Sequence, residues 1–181
     1  IDSNRKKELF SRLKVEFHPI EQIKILGTHI NANLDNRYDV WSPDNNEQFE
    51  TYTDSLGEDS QKTKGFSLRS KIKISEDFNL LFIATRSNTQ LVHAYDGDWA
   101  NDSYWLDEHH FDPDSTGYSY SFYEKNKRVR YNSSQELRMN FKNLVTGFYL
   151  KNLSEQDDAI GYLFGGLGDK ADGKYDFKAY A

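Results

Sequence analysis

The sequence predicts an all-β fold: an antiparallel β-sandwich or jelly roll, with a β-barrel as the alternative, and one N-terminal helix. Three observations carry this. Apolar and polar residues alternate over many short stretches. Gly and Asx clusters with turn chemistry separate those stretches. No strand–helix rhythm of the kind that builds a parallel sheet occurs. The 181 residues read as one β domain, with a helix over 3–14 and strands and loops over 20–181.

The helix rests on good helix formers from Lys6 to Leu13 and on Phe10, Leu13 and Phe17 at helical spacing, with Ser3 as N-cap. His18-Pro19 ends it. Beyond it the period becomes two. Ile23 and Ile25 alternate on one parity and Ile30, Ala32 and Leu34 on the other, which predicts a bulge at Gly27. Tyr38–Val40 reads as a short strand. The polar stretch 42–64 reads as a long loop with a strand at 48–53. The clearest strand is 65–75, where Phe66, Leu68, Ile72 and Ile74 oppose Arg69, Lys71 and Lys73. Strands follow at 78–86, 91–95, 117–123, 127–132, 136–142, 144–151, 159–164 and 174–180. The Gly165–Lys170 stretch lacks phosphate-loop spacing and reads as a turn.

Composition excludes several functions. With 12 Tyr, 12 Phe and 3 Trp the chain has the aromatics for a packed core, so disorder is excluded. A net charge of -6 argues against nucleic-acid phosphates, and no specific nucleic-acid partner is expected. No run of about 18 apolar residues exists, so no membrane insertion is expected. The absence of Cys excludes disulfides, a thiol nucleophile and a thiolate zinc site. It suits a cytosolic protein or a secreted one that avoids stray oxidation; with the composition it points to secretion or the cell surface. Ile1 reads as a processed terminus or a domain cut.

The segment 95–114 stands out. No Lys or Arg occurs between Arg86 and Lys125, while Asp96, Asp98, Asp102, Asp107, Glu108, Asp112 and Asp114 crowd that stretch. Like charges repel unless a cation balances them. Acids around Gly97 suit a hard cation, so Asp96, Asp98 and Asp102 are candidate calcium ligands, and His109 and His110 candidate zinc ligands. Trp99, Tyr104 and Trp105 lie among the acids. An indole face beside Asp and Asn acceptors suits a sugar ring, so these three with Asn101, Trp41 and Arg86 form a candidate ligand site. The Lys125–Arg130 run reads as the basic side of a hairpin or as an anion patch.

The leading functional expectation is therefore a secreted or surface module that recognises carbohydrate or a surface protein, using the loop at 95–114. One alternative is a polysaccharide-degrading enzyme, a glycoside hydrolase or lyase, with Glu136, His93 or Arg86 in its cleft. Another is a viral or phage surface domain, or a secreted protein that captures metal or haem.

Overall fold

The protein is described by a computed structural model. It covers the backbone of residues 5–38, 41–163 and 175–180, and side-chain burial for 5–38 and 41–161. Seven strands, β1 (Glu8–Ile20), β2 (Ile23–Asn36), β3 (Glu58–Lys73), β4 (Phe78–Asp96), β5 (Phe122–Phe141), β6 (Leu144–Leu163) and β7 (Tyr175–Tyr180), form one sheet in sequence order. Every neighbouring pair is antiparallel. The sheet is an open meander, with β1 and β7 as its outer strands. Two helices, α1 (Asp102–His109) and α2 (Pro113–Thr116), lie between β4 and β5. The all-β expectation stands. A sandwich or jelly roll needs a second sheet packed on the first, and the described strands make only one.

The two ends of the meander differ. At one end the connections are tight, at 21–22, 74–77 and 142–143. At the other they are long, at 37–57 and 97–121. The strands are long too, reaching 20 residues in β5 and β6. The short strands read from the sequence fuse: 78–86 and 91–95 are both β4, 127–132 and 136–142 both β5. No strand forms at 48–53. Val40, Ser3 and Gly165–Lys170 lie outside the described residues.

The N-terminal helix is corrected: residues 8–20 are β1, paired with β2 from Glu8↔Leu34 to Phe17↔Ile25. Leu9, Leu13, Val15 and Phe17 share one face at period two, and pairing with β2 overrides the helix propensity of the Lys/Glu/Leu run. Pro19 falls where the register shifts, between Phe17 and Ile20 on this outer strand. The bulge at Gly27 is also corrected. Register runs unbroken through Gly27 on both sides.

Directly paired residues share a face, so the register sorts every strand residue to one of two sides. In the half nearest the tight turns, the side carrying Phe82 is apolar. It presents Leu13, Val15, Phe17 and Ile20 on β1 and Ile23 and Ile25 on β2. Phe66, Leu68 and Ile72 follow on β3, and Phe78, Leu80, Phe82 and Ala84 on β4. Leu137, Met139 and Phe141 on β5 and Leu144, Phe148 and Leu150 on β6 complete it. Within these rows the one charge on this side is Arg86, level with Leu13 and Phe66 at the edge. Over the same rows the opposite side, which carries Leu81, holds Lys14, Glu16, Lys24, Arg69, Lys71, Lys73, Glu136, Arg138 and Lys151.

The apolar side is uncovered. Phe17, Phe66, Phe148 and Leu150 are all more than half exposed, and β1 is exposed throughout. Among the described residues the buried apolar side chains are only Leu81, Ala94, Ala100 and Ala159. Soluble monomers rarely leave so large a contiguous apolar surface open to water.

Candidate functional site

The long connections fold onto each other through two carboxylates at the end of β4. Asp96 is 6% exposed and accepts from the Thr53 hydroxyl and from the backbone N–H groups of Asp54 (3.2 Å) and Ser55 (3.4 Å). Asp98 is 5% exposed and accepts from the N–H groups of Ala100 (3.1 Å) and Phe122 (2.8 Å). One acid therefore ties the 37–57 connection to β4, and the other ties the start of the 97–121 connection to β5. Gly97 closes the corner: a Cβ there would lie 1.8 Å from the Phe122 ring. Burial, followed by the nearby Asp96 charge, pushes the Asp98 carboxyl up to about 7, against the lowering effect of its N–H donors. Asp54 is raised as well, by burial and then by Asp96.

Asn101 holds the two connections a second time. Its side-chain amide donates to the Tyr52 carbonyl (2.8 Å), while its oxygen caps α1 by accepting from Tyr104 N–H (3.0 Å). Tyr52 and Tyr104 stack at 4.6 Å between centroids. The Tyr52 hydroxyl donates to Asp44 (2.8 Å), which also accepts from Ser42 and Asn46. These donors, Ser42 foremost, lower the Asp44 carboxyl to about 2.

Two indoles remain open at this end. Trp41 is 60% and Trp99 45% exposed; their rings lie 6.3 Å apart, tilted by 35°. Trp99 has φ of 64°, a left-handed conformation that a bulky residue adopts only when its surroundings impose it. Trp105 differs: it packs edge-on against Tyr104 (5.4 Å) and Tyr120 (4.7 Å) and beside His109 (5.0 Å). It anchors the helix rather than facing outward.

The structure thus brings together Trp41, Trp99, Asn101, Tyr104, Asp96 and Asp98. It leaves Arg86 out: Arg86 is ten residues before Asp96 on β4, about 34 Å along the strand at ~3.4 Å per residue. Asp102 accepts from Ser119 (3.1 Å), and His110 forms the left-handed C-cap of α1. Asp96 Oδ2 and both Asp98 oxygens accept mostly from backbone N–H groups, and Asp96 Oδ1 is buried without a hydrogen-bond partner. Among the described residues no three His, Asp or Glu side chains gather to hold a metal ion. Glu136 pairs with Arg138 near the tight-turn end, opposite Ile83, far from the acids of the loops. His93 packs against Tyr38 at 4.6 Å, with Asp59 4.0 Å away.

Family models, curated proteins and solved structures give no match to this chain. Its chemistry is therefore read from its own geometry.

Two features escaped the sequence reading. The docking role of Tyr52, Thr53 and Asp44 had no signal, because they lie in a polar stretch without periodicity. The charge-free side of the sheet did have one: every second residue of 66–72, 78–84, 137–141 and 144–150 lacks charge, while the intervening residues of two of those stretches carry it, at Arg69, Lys71 and Arg138.

Proposed function

We propose that the chain forms part of the wall of a membrane-spanning β-barrel, with the apolar Phe82 side against lipid and the charged Leu81 side facing the interior. The observation that carries this reading is the charge difference between the two sides over the same rows. A membrane strand must present apolar side chains outward, can present polar ones inward, and must have all its backbone groups paired. The meander supplies that pairing from strand to strand.

On β4 the charge-free stretch of this side is Phe78–Ala84, seven residues, and Arg86 borders it; a tilted strand needs about 9–11 to cross a bilayer, so a crossing takes in the Arg86 row at its edge. Aromatic rings border the band at both levels, as barrel girdles do. Phe78 and Phe141 stack at 4.6 Å at the tight-turn border, and Phe66 and Tyr131 stand exposed at the other. Tight turns at one end and long connections at the other follow the same plan.

No described helix is long and apolar enough to cross a membrane, and that fact does not bear on strands. The expectation of no membrane insertion came from searching for one continuous apolar run. A barrel strand has none, since half its residues face inward. The described sheet is open, so in this reading further strands continue it beyond β1 and β7.

The test is flotation of the refolded protein with phosphatidylcholine vesicles, followed by an alkaline carbonate wash. Protein that stays with the lipid through the wash supports the reading. Protein that remains monomeric and soluble without lipid or detergent overturns it.

A second reading concerns the loop end. The exposed Trp41–Trp99 pair favours a ring-shaped ligand such as a sugar, in keeping with the carbohydrate recognition expected from the sequence. Quenching of indole fluorescence by oligosaccharides, lost in the W41A/W99A double variant, would support it. Unchanged quenching in that variant would remove it.

A further inference from the structure

On the Phe82 side, just beyond the apolar band toward the long connections, the chemistry changes within two rows. Arg86 stands level with Phe66 and His29. The next row holds Lys64, Asn88 and Tyr131, and the one after it Lys62 and Gln90. No carboxylate occupies these rows between β1 and β6. Among the described residues Lys62, Lys64 and Arg86 have no ion-pair partner; the nearest acids on this side, Asp35 and Asp158, stand one row further on, where Asp35 is held by Arg5 at 3.0 Å and Asp158 accepts from Gln156 at 3.2 Å. The opposite border of the band is different. Its turns carry Glu21, Glu76 and Asp77 beside Lys142, and Glu76 pairs with Lys73.

Two open grooves follow the cationic rows. One of about 240 Å³ is lined by His29, Lys64, Phe66, Arg86, Asn88 and Tyr131. Its neighbour of about 410 Å³ shares Lys64 and Asn88 and adds Asn31, Asn33, Lys62 and Gln90. Cations, side-chain amides and aromatic rings therefore meet at one level, with an apolar band directly below.

We infer that these grooves seat the phosphate-bearing headgroups of anionic lipids in the leaflet on the side of the long connections. The inference rests on the barrel-wall reading, which places the grooves at the bilayer border. The argument is charge complementarity with continuity. Acyl chains lie along Phe82, Leu68 and Leu137, and this puts the phosphate level with Arg86, Lys64 and Lys62. The amides of Asn31, Asn33, Asn88 and Gln90 serve headgroup hydroxyls. The planar guanidinium of Arg86 binds phosphate oxygens in pairs. Each basic group near a membrane surface is worth about 1 kcal/mol toward anionic lipid, or about five-fold in affinity.

The test uses the full chain in phosphatidylcholine bilayers doped with spin-labelled phosphatidic acid or spin-labelled phosphatidylcholine. The measured quantity is the fraction of each label immobilised at the protein surface. A several-fold preference for phosphatidic acid is expected, reduced in R86Q and abolished in R86Q/K64Q, while the total of immobilised lipid stays constant. K142Q, at the opposite border, leaves the preference unchanged. Equal immobilisation of both labels, or a preference that survives R86Q/K64Q, overturns the inference while leaving the barrel wall standing. No immobilised lipid of either kind overturns both. Loss of the preference on adding millimolar inorganic phosphate at constant ionic strength identifies a soluble-anion site and likewise overturns the lipid assignment.

Discussion

The two halves of the sheet are made from the same strands and yet obey different rules. Near the tight turns the Phe82 side carries no Asp, Glu, Lys or Arg short of the Arg86 row, and the Leu81 side carries most of the charge. Near the long connections both sides are polar: Lys62, Lys64, Lys125 and Lys127 stand on one, and Asp59, Arg128, Arg130, Glu155 and Asp157 on the other. A strand has one pleat throughout, so the change lies in which residues the sequence places on each side. In the proposed reading one half is solvated by lipid and the other by water. The loop end then needs its own fastening, which Asp96, Asp98 and Asn101 provide.

The largest expected effect separates the halves directly. Phe82→Arg places a cation within the apolar band and should destabilise the lipid-embedded protein by about 2–4 kcal/mol. Gln90→Arg, on the same strand and side but in the polar half, should change stability by less than ~0.5 kcal/mol. Denaturant unfolding in lipid vesicles measures both. Equal effects would erase the distinction.

Asp98→Ala comes next. It removes the acceptor of the Ala100 and Phe122 N–H groups, and a buried donor left unpaired costs about 1–3 kcal/mol. The loss should appear as faster hydrogen exchange over 97–122, with the band unchanged. Exchange that accelerates equally across β3 and β4 near the tight turns would show that the halves are one cooperative unit.

A pH series sharpens the contrast. The folded Asp98 carboxyl lies at about 7, above its ordinary value of 3.8. Between those values the folded loops hold a proton that the unfolded chain has released. Their stability therefore falls as pH rises from about 4 to about 7 and is level above that. Limited proteolysis of the 97–121 connection should follow this course in the wild type and be flatter in Asp98→Asn. A rise in protection across the same range would reverse the sign and refute the assignment.

Arg138→Ala should have the smallest effect. Its pair with Glu136 lies two residues away on the charged side, with Arg138 44% exposed, and such pairs contribute about 0–1 kcal/mol. Thermal unfolding that shifts by more than a few degrees would show that this side is less open than described.

Much of the architecture was legible in the sequence. The alternation at 65–75, with Phe66, Leu68 and Ile72 against Arg69, Lys71 and Lys73, fixes both strand and sides. The parity change after Gly27 was equally visible and was read as a bulge. The register shows instead a change of side: Ile23 and Ile25 stand on the Phe82 side, and Ile30, Ala32 and Leu34 on the Leu81 side higher up the sheet. The helix at 3–14 failed because Phe10, Leu13 and Phe17 fit a period of three to four as well as Leu13, Val15 and Phe17 fit a period of two. Only pairing with β2 separates those patterns. In the site, the aromatic and acidic crowding at 95–114 was readable. The split between open indoles (Trp41, Trp99) and an anchoring one (Trp105) depends on tertiary contacts with Tyr104, Tyr120 and His109, which no local pattern encodes.

The most direct measurement of the central claim uses two consecutive residues of β5 that face opposite ways, Glu136 and Leu137. The chain has no cysteine, so E136C and L137C can each carry a nitroxide label alone. In lipid bilayers the Leu137 label should collide readily with oxygen and be shielded from a water-soluble nickel chelate, and the Glu136 label should show the reverse. Ready access of the nickel chelate to both positions would contradict the membrane wall.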